Sequence, residues 1–186
     1  MGLNLNPIRN TEPIYMKYKI SNGVKIGCCG FLVSKAKYFQ NFKVVELQQT
    51  FYQPPQIETA VKWRKEAPLD FEFTLKAWQL ITHNALSPTY RKLKLKISEN
   101  KKKYYGGFQP SEEVLSSWEY TDKIAKSLNA KIIVFQCPPS FTATKENLKN
   151  MNEFFKRIKR KEYLFCFQAK GAKAGLAILL RGSVKI

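Results

Sequence analysis

Lys131-Ile132-Ile133-Val134-Phe135-Gln136 is apolar at four successive positions and lies between two segments of helical period. Upstream, Ser111 to Asn129 opens on a capping serine and carries Glu112 and Glu113 at the positive end of the helix dipole. Its apolar face holds Val114, Trp118, Ala125 and Leu128. Downstream, Thr144 to Arg160 repeats the design with Leu148, Met151, Phe154, Phe155 and Ile158. A strand apolar on consecutive residues has both faces covered, which is the habit of parallel sheets. The stretch therefore reads as helix, buried strand, helix.

The same alternation extends outward. Val24 to Cys29, Phe42 to Leu47, Phe71 to Lys76 and Glu162 to Phe167 read as further strands, and Val33 to Gln40 and Gln56 to Ala67 as further helices. The order is β-α-β-α-β, a long insertion, then α-β-α-β, the signature of right-handed parallel βα units. Residues 84–110 form the insertion, a basic loop over one mouth of the sheet; connections of that length are usually functional. About five strands are too few for an eight-stranded barrel. The pattern predicts an α/β fold, either an open doubly wound sheet or an incomplete TIM-barrel-like one. The expected divisions are an N-terminal extension over 1–24, the domain over 25–170, and an atypical tail over 171–186 with neither caps nor a polar face.

Composition narrows the class. The chain has 186 residues, 44% of them apolar and 13% aromatic, enough for a real core and unlike disordered or disulfide-scaffold sequences. No run approaches a membrane span, and no basic-then-apolar leader is evident, so a cytoplasmic protein is expected. Thirty-two Lys and Arg against fourteen Asp and Glu leave a formal charge of +18. Such a field attracts nucleic acid, phosphorylated metabolites or acidic membrane, and equally serves solubility alone. Cys28, Cys29, Cys137 and Cys166 sit in or beside apolar runs and read as small buried thiols; with a single histidine they make no metal site. No phosphate loop, dinucleotide fingerprint or zinc-protease motif occurs, so no cofactor is assigned.

In parallel α/β proteins ligands meet the carboxyl ends of strands. Glu46, inside the apolar run Val44–Leu47, needs a partner, and Lys76 at the end of the next strand supplies one. The pair reads either as a structural ion pair or as a site with Glu46 as acid or base and Lys76 as anion anchor or, secondarily, Schiff-base nucleophile. His83 follows the third strand and suits acid–base work. With Glu46 and Lys76 as catalytic candidates beside His83, the substrate-binding candidates are Thr50, Tyr52, Trp78, Thr82, Gln136 and Ser140.

Four of these segments resemble the YecE-like family, domain of unknown function 72, in its archaeal form. They are Ile26 to Phe31, Val44 to Tyr52, Phe73 to His83 and Val134 to Phe141, in that order. The resemblance implies a TIM-barrel-type fold with these residues at its carboxyl-end mouth, and implies no reaction. The chain departs from it at Gln168 and Lys170, where the family has an acidic residue and an arginine, and beyond Gly171, where a truncated or frameshifted gene is the expectation. Three functions follow: an enzyme or enzyme remnant acting on a small polar or anionic substrate; a nucleic-acid-binding module using Arg91 to Lys103, Tyr104, Tyr105 and Lys156 to Lys161; or a non-functional truncation product. An incomplete barrel exposes sheet edges open to self-association. The chain alone is expected to be marginal or to need a partner, so a dilute monomer should lack a cooperative thermal melt in circular dichroism; a sharp, concentration-independent melt contradicts this.

Overall fold

The computed structural model describes residues 25–158, 162–169 and 177–181, the last of these as backbone only. Six strands form one sheet: β1 (Gly27–Cys29), β2 (Val44–Leu47), β3 (Glu72–Lys76), β4 (Ile132–Cys137), β5 (Leu164–Ala169) and β6 (Ala177–Arg181), side by side in chain order. The first five pair in parallel, and β6 runs antiparallel to β5. A doubly wound sheet reverses its strand order at a switch point. This one never does, so right-handed crossovers put successive helices on one side. The architecture is an open, partial TIM-barrel-like sheet.

Alternation along each strand sorts the two faces. Val45, Leu47, Phe73, Leu75, Ile133, Phe135, Phe165 and Phe167 are all buried in the core. The intervening residues face the concave side that a closed barrel would enclose, and Val44, Glu46, Thr74, Ile132, Val134, Leu164 and Cys166 are half-buried there. The expectation that both faces of β4 are covered thus holds fully for one face and in part for the other.

The helices are α1 (Lys35–Asn41), α2 (Gln49–Tyr52), α3 (Ile57–Glu66), α4 (Gln79–Thr82), α5 (Glu112–Leu128) and α6 (Lys145–Ile158). Ser111 Oγ accepts from the Val114 amide at 3.3 Å to cap α5, and Asn129 ends it in the left-handed region at φ 52°. Arg64 closes α3: its guanidinium donates to the carbonyls of Phe71, Ala67 and Pro68 and lies over the Phe73 ring. Leu148, expected on the apolar face of α6, is instead exposed, while Phe154, Phe155 and Ile158 are buried.

The long connection is more structured than its composition suggests. Turns of 3-10 helix span Pro88–Lys92 and Glu99–Tyr104. The amides of Gly106, Gly107 and Phe108 then donate to the carbonyls of Leu80, Thr82 and Ile81 at 2.9, 3.2 and 2.9 Å. Gly106 has φ 84°, and a Cβ there would lie 2.4 Å from the His83 carbonyl carbon, so only glycine fits. Beyond it Phe108 is fully buried, its ring 5.4–5.6 Å from those of Phe135, Phe141 and Phe154. In the tail, read as atypical because it lacks helix caps and a polar face, residues 177–181 form β6. The N-terminal extension and the remainder of the tail lie outside the described residues.

Phe108→Ala removes a ring that joins the connection to α6 and β4. It should cost about 3–5 kcal/mol of unfolding free energy, read as a lowered urea midpoint, with broadened amide signals over 80–108.

Candidate functional site

Strand register sets which side chains meet on the concave face. Cys29 pairs with Glu46 and Glu46 with Thr74. One rung higher, Lys76 pairs with Val134 and Val134 with Cys166, and Gln136 faces Gln168 above them. Side chains two residues apart along neighbouring strands can therefore reach one another diagonally. Lys76 Nζ donates to Gln136 Oε1 at 2.8 Å and lies 3.5 Å from Glu46 Oε1. Cys29 Sγ donates to the same Glu46 oxygen at 3.6 Å. A polar string thus crosses four strands, from Cys29 through Glu46 and Lys76 to Gln136.

The string is graded in exposure. The Lys76 side chain is 6% exposed and that of Glu46 27%. Gln136 is buried, while Cys29 lies open. An ammonium so enclosed needs its charge answered, and the carboxylate and amide carbonyl do that. Cys29 and Glu46 are the members that an incoming molecule can touch.

The other candidates divide between walls and framework. Thr50 is buried, and its hydroxyl lies 2.6 Å from the Leu47 carbonyl and 2.7 Å from that of Lys76, tying the turn after β2 to the end of β3. Tyr52, half-buried, carries Lys92 Nζ 4.3 Å above its ring. Trp78 packs on Tyr120 at 5.7 Å, and its buried Nε1 has no hydrogen-bond partner among the described residues. His83 is buried with Nδ1 2.8 Å from Thr82 Oγ1, its ring edge-on to Phe51 at 4.9 Å, and its carbonyl accepts from Tyr90 Oη at 2.7 Å. Ser140 is exposed in the turn after β4. The structure therefore joins Glu46, Lys76 and Gln136 directly. Thr50 bonds to the Lys76 carbonyl, and its chain neighbour Phe51 packs against the His83 ring.

Two thiols were missed as neighbours of this group. All four cysteines read from sequence as small buried residues, yet only Cys137 is buried; Cys28 and Cys166 are half-buried. Adjacent residues of a strand face opposite sides, so Cys28 and Cys29 could not both enter the core, and that parity was available as a signal. Burial raises the Cys29 thiol, and the Glu46 carboxylate raises it further, with Lys76 opposing. Cys166 is raised by burial and by Glu46, and burial alone pushes Cys137 up to about 12. These three sulfurs are held as thiols, and the site is built around a carboxylate and an ammonium. Among the described residues no cluster of His, Cys, Asp and Glu is placed to hold a metal.

The nucleic-acid candidates are partly in view. Arg91, Lys92, Lys94 and Lys96 are exposed, Lys101 and Lys102 pair with Glu113 and Glu99, and Tyr104 is exposed beside Lys103. Tyr105 is half-buried, with its phenol raised by burial and by Glu113. Lys159 to Lys161 lie outside the described residues. No described helix is long and apolar enough to cross a membrane.

Parallel strands in sequential order, with ionisable side chains at their carboxyl ends, define a protein of the TIM-barrel-like class. Within it, the chain belongs to the family described as Protein of unknown function DUF72, whose model matches residues 35–172. It is similar to the UPF0759 protein YunF of Bacillus subtilis, at 29% identity over 111 residues, which are 60% of this chain and 34% of that protein. A solved DUF72 family protein of Enterococcus faecalis superposes with a TM-score of 0.55 at 20% identity, covering 78% of this chain and 51% of the other. A DUF72 family protein of Thermotoga maritima gives a TM-score of 0.49 at 20% identity, over 78% and 54% of the two chains. The chain spans about a third to a half of the length of these relatives.

The thiol shifts carry a sign that can be measured. In a Cys28→Ala background at pH 8, Cys29 should alkylate with iodoacetamide more slowly than an unperturbed thiol despite its exposure. Glu46→Gln should speed the reaction and Lys76→Met slow it further, as followed by mass spectrometry.

Proposed function

We propose that the concave face at the carboxyl ends of β2, β3 and β4 binds a small polar or anionic molecule, and that the chain is an enzyme or derives from one. The observation that carries this reading is the enclosed Lys76 ammonium, held between Glu46 and Gln136, with only the carboxylate side open. A purely structural ion pair has no need of that asymmetry. A hydroxyl of the ligand would donate to Glu46, while a carboxylate or other oxyanion would approach the Lys76 ammonium from that open side.

In this reading Glu46 removes or returns a proton at its exposed oxygen, and Lys76 stabilises negative charge developing on the ligand. Tyr52, Trp78, Thr82 and Ser140 contribute walls or rim. Thr50 fixes the Lys76 backbone. His83, with Thr82 Oγ1 beside Nδ1 and Phe51 edge-on to its ring, acts through Phe51 and the neighbouring turn.

Small hydroxy acids (lactate, malate and citrate) are suitable probes because each offers a hydroxyl beside a carboxylate. Saturation-transfer NMR on the full chain should show contact with at least one of them, with loss of at least tenfold in affinity in both Glu46→Gln and Lys76→Met. Equal transfer in all three proteins, or none in the wild type, defeats the proposal.

A further inference from the structure

The segments at the mouth of the sheet are poor in acids. The segments that follow the strands at the mouth are residues 30–34, 48–56, 77–98 and 138–144, and none contains Asp or Glu. The turns at the opposite end carry cations too, but there Lys43 and Lys25 are paired with Asp70 and Glu72. At the mouth the single carboxylate of the strand ends is Glu46, already paired with Lys76. Against that background Arg91, Lys92, Lys94 and Lys96 are exposed, and no described carboxylate forms an ion pair with them. The acids that appear later in the connection, Glu99 and Glu113, are paired with Lys102 and Lys101.

The four cations are strung out and firmly mounted. Between the two 3-10 turns the chain runs from Leu93 to Ser98 without helix or strand. The chain bends at Leu95, and the four cations are spread over residues 91–96 instead of being gathered on one helical turn. Tyr90 Oη holds the segment to the His83 carbonyl at 2.7 Å, and the Lys94 amide donates to Gln53 Oε1 at 3.0 Å. Cations that converge on one point suit a single phosphate. A line of them with no carboxylate among them suits a linear polyanion. One tyrosine ring lies against it, Tyr52 beneath Lys92, and Tyr104, 42% exposed, lies beside Lys103 in the turn that follows.

We infer that the strip from Arg91 to Lys96 binds the phosphate backbone of single-stranded nucleic acid, with Tyr52 and Tyr104 as stacking surfaces for bases. Lysines predominate, so contact is to phosphate without base readout, and sequence preference is slight. The inference is independent of the ligand proposed for the concave face.

Fluorescence anisotropy with a labelled oligothymidylate across a potassium chloride series tests it. Each cation that neutralises a phosphate of a single strand contributes roughly 0.7 to the slope of log K against log salt, so the strip should contribute about 3. The fourfold variant Arg91→Gln, Lys92→Gln, Lys94→Gln, Lys96→Gln should lose that part of the slope and at least tenfold in affinity at low salt. If that variant does not fold, Lys94→Gln and Lys96→Gln singly should each remove roughly 0.7. The control Lys62→Gln, Lys65→Gln, Lys123→Gln, Lys149→Gln removes as much charge from the helices and should change binding little. Equal losses in control and strip variants, salt-independent binding, complete competition by equimolar pyrophosphate, or capture only by phosphatidylserine vesicles would each overturn the inference.

Discussion

Enclosing an ammonium ion at the end of a parallel strand is costly, and the concave face is organised around meeting that cost at Lys76. Glu46 and Gln136 come from the strands on either side, and both reach Lys76 because parallel register places their Cα atoms within a rung or two of its own. Shift either neighbour by one residue and the partner would turn into the helix-covered core. The same register that buries Leu75 and Phe135 on one face therefore assembles the polar string on the other. Removing one member of such a pair leaves an unanswered charge, which in enclosed sites costs several kcal/mol; the partial exposure of Glu46 reduces that figure here.

Support for the string comes from behind. Thr50 binds the Lys76 carbonyl, Phe51 meets the His83 ring edge-on, and His83 in turn receives Tyr90 through its carbonyl and lies against Gly106. These contacts form one continuous framework from the turn after β2 to the end of the long connection. The connection can then carry exposed cations at the mouth without losing its place, because its far end is anchored by Phe108 in the core.

Electrostatics separates the two ends of the sheet. The mouth holds cations without carboxylate partners beside one paired carboxylate, whereas at the opposite end Asp70 and Glu72 are matched by Lys43 and Lys25. Thiols within reach of Glu46 are kept protonated by its charge and by burial. The concave face therefore presents an acid–base pair and hydrogen-bonding groups, and its sulfurs are poor nucleophiles.

The sequence by itself determined the class of fold, because alternation of strand and helix periods is local. Val44–Leu47, Lys131–Gln136 and the capped segment after Ser111 each carry their signal within a few residues. It also determined that Glu46 and Lys76 would meet, since a carboxylate inside an apolar run needs a partner and the next strand end offers one. Tertiary structure alone decided the rest. Gln136 joins the pair through registration of β4 on β3, separated by a 55-residue excursion between Lys76 and Ile132 whose path no local pattern encodes. Phe108 is a core residue because three backbone hydrogen bonds fold the connection onto residues 80–82, while its neighbours in sequence read as a loop. Periodicity reports which face of an element is apolar; which distant element covers that face depends on closure of the whole chain.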